Sequence, residues 1–566
     1  MHRIDLVLLW HMHQPDYRDH SSPGAPEFVL PWVYLHALKD YCDMADHLER
    51  HPQVRAVVNF VPVLAEQIED YAAQFESGVF RDPLLRLLAT PEGQALSEDE
   101  KRKILDTCFL ANHATMLDPF PDYQRLHALY NSLAHSDDNQ PALNYLSDSY
   151  YLDLITWYHL AWSGESERRT EKLLQEMIAK GQNFSCRERQ ALLAWMGRTI
   201  SKLLPRYAAL AKRGQIELCC TPQTHPLSPL LLDLRAGQQT VPDAPAPTAP
   251  DYPGGAERVR RHIVAAQRSH TQRFGTPPTG MWPAEGAVST EFARQLAAEG
   301  VRWIASGEGV LHNSLNHAGM QVPHPAWQAW KLDKTPGMSL FFRDEYLSDL
   351  IGFEYGRWHS GDAAHHFVEQ LTNTAHLAPP AEHEQQRPMV AVILDGENAW
   401  EHYPYNGWYF FEELYGLLEH SEQIRTTTFA TLVAERPEPN ATLPALTAGS
   451  WVYGTLSTWV GDPAKNRAWD LLAAAKVAYD AAFPGLADAQ KIAAEQQLSI
   501  CESSDWFWWF GDYNPGPSVA SFDQLYRRNL ANLYRCLQLE PPAALDTPIS
   551  AGGGQAEGGG TMRRAG

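Results

Sequence analysis

Ile4-Asp5-Leu6-Val7-Leu8-Leu9-Trp10 runs directly into His11-Met12-His13-Gln14-Pro15, and this junction decides how the chain is read. A nearly unbroken apolar run of this length suits a strand buried on both faces of a parallel sheet. Its C-terminal end delivers polar side chains before Pro15 stops it. His11 and His13, two residues apart, face the same side of such a strand. There they can hydrogen-bond a hydroxyl-rich ligand, finish the strand with polar groups, or share a metal ion.

The pattern recurs along the chain. Arg55 to Phe60 reads as a second strand that leads into helical spacing from Val63, and from about residue 65 to 210 the pattern is helical, an insertion between strands. Gly214 closes a helix over Leu204 to Arg213, and Gln215 to Cys220 follows as a strand. Glu217 falls inside that strand and suits a buried carboxylate that holds its neighbours, whereas His225 beyond it is a candidate ligand contact. Five prolines between 238 and 255 mark a loop across the mouth or over the surface. Met281-Trp282-Pro283-Ala284-Glu285-Gly286 ends another strand and precedes a helix capped by Ser289. Val301 to Ala305, Gly337 to Phe342 and Met389 to Leu394 complete the strands, with Pro379 to Pro388 as a separator before the last. Arg343 ends one strand, suited either to orient a catalytic carboxylate or lower its pKa or to pair with Asp344 or another acid, and Asp395-Gly396-Glu397-Asn398 ends another.

Strands alternating with helices, with polar clusters at the strand ends, predict a parallel β/α barrel whose site gathers at its C-terminal rim. The expected organisation is a barrel over residues 1–435, a helical region over 436–540, and a flexible glycine-rich tail over 541–566.

Composition narrows the function. A net charge of -22 over 566 residues argues against a nucleic-acid backbone as partner. Eighteen Trp and twenty-three Tyr supply flat apolar faces for sugars, although many simply fill cores. Seven scattered cysteines form neither a disulfide framework nor a zinc cage. With no secretory leader and no apolar span of membrane length, the expectation is a cytoplasmic protein without membrane contact.

Two carboxylates on separate strand ends suit glycosidic bond cleavage, in which one attacks and the other protonates the leaving oxygen. Glu285 is one. Asp395 and Glu397, near the same strand end, are both eligible as the other. The aromatic stretch Ser503 to Tyr513 either lines the cleft or anchors the helices on the barrel.

Five blocks in order give the chain a family resemblance: His11-Met12-His13-Gln14-Pro15; Gly214-Gln215-Ile216-Glu217; Trp282-Pro283-Ala284-Glu285; Leu394-Asp395-Gly396-Glu397-Asn398; and Thr458-Trp459-Val460-Gly461-Asp462, continuing to Lys465-Asn466-Arg467. In these the chain resembles glycoside hydrolase family 57, the retaining α-glucan-active family. The resemblance implies an incomplete TIM-like (β/α)7 barrel followed by a C-terminal α-helical bundle, with Glu285 as nucleophile and Asp395 as acid/base. Substrate contacts are expected from His11, His13, Gln14, His225, Trp282, Glu397, Trp400, Trp459, Asp505 and Trp506, with no cofactor and no metal. Gln14-Pro15 and Ser504 to Trp509 look most similar to the α-amylase and amylopullulanase members. That implies an α-glucan or maltooligosaccharide partner and α-1,4 hydrolysis, extending to α-1,6 linkages. The competing readings are a 4-α-glucanotransferase or branching enzyme using the same site, a metal-dependent deacetylase or mannosidase with His11, His13 and Asp395 as ligands, and a glucan-binding protein without turnover.

Overall fold

A computed structural model of the chain describes residues 4–21, 24–133, 140–377, 387–439 and 441–554. Most of the proline-bearing separator, residues 379–386, lies outside them, as do residues 555–566. Six strands carry the barrel: β1 (Ile4–Met12), β2 (Ala56–Phe60), β3 (Ile216–Cys219), β4 (Trp303–Gly307), β5 (Ser339–Arg343) and β6 (Met389–Asp395). β1 pairs in parallel with β6 on one edge and with β2 on the other, and β2 pairs with β3. β4 and β5 pair in parallel, and β5 meets β6 at Arg343 and Ala391. Between β3 and β4 the seventh position is held by one residue, Met281, which bridges Cys220 on one side and Ile304 on the other. The ring therefore closes with seven members, and the full strand expected before Trp282 is reduced to that bridge.

Strand periodicity explains what each face carries. On β1, Val7 and Leu9 point into the barrel beside Val57, Cys219, Ala305, Phe341, Ala391 and Ile393, while Leu6, Leu8 and Trp10 face the surrounding helices. Continuing the same alternation, Asp5 lies at the bottom of the interior row, with His11, Arg343 and Asp395 at the top. A strand missed in the sequence, β7 (Ile424–Thr427), pairs with the lower half of β1, Ile4 to Val7. The helix after it seals the base: Phe429 packs on Trp303 and Phe341 at ring-centroid distances of 4.6 and 4.5 Å. Asp5 pairs there with Arg425 and Arg436. Glu217 accepts from the Trp303 indole at 2.7 Å and from the Ala430 amide at 2.8 Å, the holding role expected of it.

The helix ending at Lys212 begins at Cys186, well before Leu204, and carries Pro205 in its interior. After residue 435 the chain stays on the barrel before turning helical. Ala441–Leu443 pairs with Trp330–Leu332, and Gly449 bridges Val288. Gly307 lets this segment close in, because a Cβ there would meet the Trp451 Cα at 2.7 Å. Helices α1 (Pro463–Ala482), α2 (Asp488–Cys501) and α3 (Gly516–Cys536) follow. They are tied to the barrel by Glu502, fully buried and held by Arg258 (2.7 Å), His262 (2.7 Å) and the Tyr252 hydroxyl (2.5 Å). Removing one partner of such a buried charge pair costs about 3–5 kcal/mol, so the segment that follows, Ser503-Ser504-Asp505, is held firmly.

Of the two readings of the proline-rich loop, the surface one holds: it packs on α1, where Thr248 and Ala249 bond Asp470, and it contributes nothing to the lining of the barrel mouth. One expectation changes: within the stretch expected to be a flexible tail, Leu545 and Ile549 are buried, and the Ile549 amide bonds Asp523 at 2.7 Å. Among the described residues no helix is long and apolar enough to cross a membrane.

Candidate active site

Glu285 sits on a 3-10 turn, Ala284–Gly286, with φ 57°, a left-handed backbone that a non-glycine residue adopts at a cost. Trp451 holds it at two points. Its amide donates to the Glu285 carbonyl, and its indole Nε1 donates to Oε2, both at 3.0 Å. Burial, then the charges of Asp395 and Asp505, push the Glu285 carboxyl well above the ordinary range, and the Trp451 bond opposes them.

Asp395 ends β6 in register with His11 of β1. Gly396 turns the chain immediately, because a Cβ there would lie 2.1 Å from the Met12 sulfur. Burial raises the Asp395 carboxyl to about 6, against the Asn398 side-chain amide, which donates to Oδ2 at 2.8 Å. The Asp395 charge thus reaches Glu285, while the nearby His13 and Arg343 work against the rise at Asp395. Glu397, also buried, accepts from Gln14 at 3.3 Å, and Gln14 in turn accepts from the Tyr17 hydroxyl at 2.9 Å. Burial, and next the Asp395 charge, raise the Glu397 carboxyl well above its usual value.

The imidazoles form a directed chain. His11 Nδ1 lies 2.6 Å from Asn59 Oδ1, whose amide nitrogen is turned to Cys219, so His11 donates there. His11 Nε2 then accepts from His225 Nε2 at 3.2 Å, and His225 Nδ1 accepts from the Ser504 hydroxyl at 2.7 Å. Burial, then the charge of His13, lowers His11 to about 3 and keeps it neutral; His225 is lowered further by the same two causes and His11. His13 stacks on His225 with centroids 3.8 Å apart and donates from Nε2 to Asp505 at 3.0 Å.

These groups open into one cavity of about 900 Å³, with His11, His13, His225, Glu285, Asp395 and Glu397 on its floor. Gln14 and Asp505 line it too, as do Trp32 and Trp162 on one wall and Trp508, Trp509 and Tyr513 on another. Four expected contacts are elsewhere. Trp282, Trp400, Trp459 and Trp506 are all at most 1% exposed and absent from the lining. Trp282 belongs to the barrel interior, Trp400 packs edge-on against Trp10 and Phe411, Trp459 packs against Trp508, and Trp506 stacks on Tyr526. Rings of that size behind a strand end fill the core before they reach a ligand. The aromatic stretch thus divides its work: Trp508, Trp509 and Tyr513 face the cavity, while Trp506, Phe507 and Phe510 anchor the helices. Trp451 was missed in the sequence; only an isolated Trp after Gly449-Ser450 marks it. Arg343 lines the cavity and pairs with Asp349 at 2.7 Å rather than with Asp344.

The metal trio of the competing deacetylase reading, His11, His13 and Asp395, does not assemble. His13, His225 and Asp505 bring ligand atoms within 4.8 Å of one another instead. Hydrogen bonds within the protein engage them all, apart from His13 Nδ1.

Comparison with known proteins fits this geometry. No curated protein matches the sequence. A branching enzyme of family GH57 from Thermococcus kodakaraensis, solved with glucose, is similar at 15% identity and TM-score 0.55, over 95% of this chain and 90% of that one. The α-amylase AmyC from Thermotoga maritima is similar at 13% identity and TM-score 0.54, over 95% and 94%. A 4-α-glucanotransferase from Thermococcus litoralis is similar at 13% identity and TM-score 0.52, over 94% of this chain and 60% of that one. At such identities the likeness establishes the fold, a (β/α)7 barrel with a helical C-terminal region. The family model for Glycosyl hydrolase family 57 matches residues 7–444, from inside β1 past the last barrel strand. That match gives the deacetylase or mannosidase reading no support, and it makes the chain a member of glycosyl hydrolase family 57.

Proposed function

We propose that the protein is a retaining glycosidase that cleaves α-1,4-linked glucans by double displacement, with Glu285 as nucleophile and Asp395 as acid/base. The observation that carries this reading is the acid pair itself: two carboxyls from separate segments of the barrel rim that line one aromatic-walled cavity. The reaction needs Glu285 ionised and Asp395 protonated, whereas burial and the charges of Asp395 and Asp505 favour a protonated Glu285. A glucosyl ring between them reverses the order. Positive charge grows on the anomeric carbon beside Glu285, and the departing oxygen, becoming basic, draws the proton held at Asp395.

In the first step a Glu285 oxygen bonds the anomeric carbon, the glycosidic C–O bond breaks, and the Asp395 proton passes to the leaving oxygen. In the second, Asp395 takes a proton from water, whose oxygen displaces Glu285 and restores the α configuration. A sugar hydroxyl in place of water yields transfer through the same steps. His13, whose Nδ1 has no partner within the protein, bonds a hydroxyl of the ring at the cleavage point; His11 and His225 hold the floor around it, and Trp508 and Trp509 cover C–H faces.

The test is incubation with maltooligosaccharides of defined length and with a branched glucan, following products and anomeric configuration. Shorter oligosaccharides released as the α-anomer are expected. The β-anomer as first product contradicts retention. Products longer than the substrate assign the site to a glucanotransferase or branching enzyme, and loss of branch points extends the activity to α-1,6 linkages.

A further inference from the structure

Pro404–Gly407 takes three successive left-handed residues, Tyr405 (φ 55°), Asn406 (φ 54°) and Gly407 (φ 75°), before the helix Trp408–Glu419 begins. Two of the three are not glycine, so the turn is strained and needs an external hold. Asn406 supplies it from inside: its Oδ1 accepts from the buried Lys39 Nζ at 2.7 Å, and its Nδ2 donates to the buried Asp43 at 2.8 Å. The outward result is Tyr405, 54% exposed, set against Tyr409, 45% exposed, with ring centroids 5.3 Å apart at 84°. Trp408 lies between the guanidinium groups of Arg50 and Arg169, at 4.7 and 4.0 Å from its ring centroid. Arg169, also 5.0 Å from the Tyr409 ring, is itself held by Glu165 at 2.8 Å. A buried lysine and a strained turn are thus used to keep two tyrosine faces in water, where folding alone would cover them.

We infer that Tyr405 and Tyr409 form a second glucan-binding platform outside the catalytic cavity. The inference rests on the α-glucan reading given above. Two rings at a right angle make a corner in which the Tyr405 ring lies under the C–H face of a pyranose and Tyr409, held from the other side by Arg169, stands against its edge, while the Tyr405 hydroxyl bonds its hydroxyls. A protein partner would look for a broader apolar field than this one, bordered by Arg50, Arg169, Glu412 and Glu413. The platform follows the cavity rim along the chain. His402, three residues before Tyr405, lines the cavity and bonds Asn112, another rim residue, at 3.1 Å. A long or branched glucan seated on the tyrosines presents a neighbouring chain to that mouth; a short oligosaccharide inside the cavity never reaches them.

The experiment compares retardation by glycogen in native gels for the full chain carrying Glu285→Gln, which holds substrate unchanged, with and without Tyr405→Asn and Tyr409→Ala. Asparagine at 405 tolerates the left-handed backbone and keeps the turn. The tyrosine double variant should bind glycogen at least tenfold more weakly. In the background with Glu285 intact, its kcat/KM on maltotriose should stay within twofold. A Tyr405→Phe and Tyr409→Phe pair should keep most of the retardation. Equal retardation by parent and variant, or an equal fall in maltotriose turnover, overturns the platform. Absence of turnover on every α-glucan overturns instead the reaction proposed above.

Discussion

The barrel and the helical C-terminal region meet at one cavity but contribute to it differently. The barrel places its acids by strand geometry. Asp395 stands at the top of an inward row that begins with Met389, and Glu285 sits on a turn next to the Met281 bridge. The helical region places no group on the proposed reaction path, yet it holds groups proposed to meet the sugar. Asp505 bonds His13, Ser504 bonds His225, and Trp508 and Trp509 form a wall. The difference teaches that the cavity is completed by the second region: without it two imidazoles lose the bonds that orient them.

Substitutions separate the two contributions. The largest effect belongs to the barrel pair: Glu285→Gln and Asp395→Asn should each lower kcat on the order of 10³–10⁴-fold with secondary structure retained. Near-normal turnover in either would remove that residue from the scheme. Asp505→Ala, in the other region, frees His13 and removes one negative charge that acts on Glu285, and a loss of about 10²-fold in kcat/KM is expected, chiefly from misplacement. A change of less than twofold would mean that the barrel orients its histidines unaided. Next come two neighbouring tryptophans. Trp506→Ala should destabilise the protein by about 3–5 kcal/mol, measured by denaturant unfolding, whereas Trp508→Ala should leave stability nearly unchanged and raise KM about 3–10-fold. The reverse pattern would exchange their roles.

The smallest effect concerns pH. Glu285 and Asp395 hold protons more tightly folded than unfolded, so the folded state loses stability as pH rises from about 4 through 6 and beyond. Glu285→Gln removes one such group. Its Tm should exceed that of the unaltered protein by about 1–3 °C at pH 7.5 and match it at pH 4, where both acids are protonated. A lower Tm at pH 7.5 would show that Trp451 and its neighbours stabilise the ionised carboxylate more than burial opposes it.

Some of this was legible in the residues themselves. β1 announces itself because burial on both faces demands an apolar run, and polar residues at its end mark the rim. Glu285 and Asp395 stand out for the same reason. The family blocks, not the spacing, chose Asp395 over Glu397. The Met281 position did not read correctly, because a single bridging residue carries no period. β7 and the helix after it were invisible as the floor of the barrel, since Phe429 looks like any core phenylalanine until it meets Trp303 and Phe341. The tryptophans misled most: sequence shows that a ring is present but not which way it faces. Trp451 reaches Glu285 only because Gly307 has no side chain and Gly449 pairs with Val288, contacts between segments more than 140 residues apart.

The most direct test is covalent trapping. The protein is incubated with a 5-fluoro-α-glucosyl fluoride, whose ring fluorine slows turnover of the glycosyl-enzyme, and is then digested and sequenced by mass spectrometry. A fluoroglucosyl mass on Glu285 itself is predicted, absent from the Glu285→Gln variant. The same label on another carboxylate, or a substrate consumed with inversion and no label at all, would contradict the account.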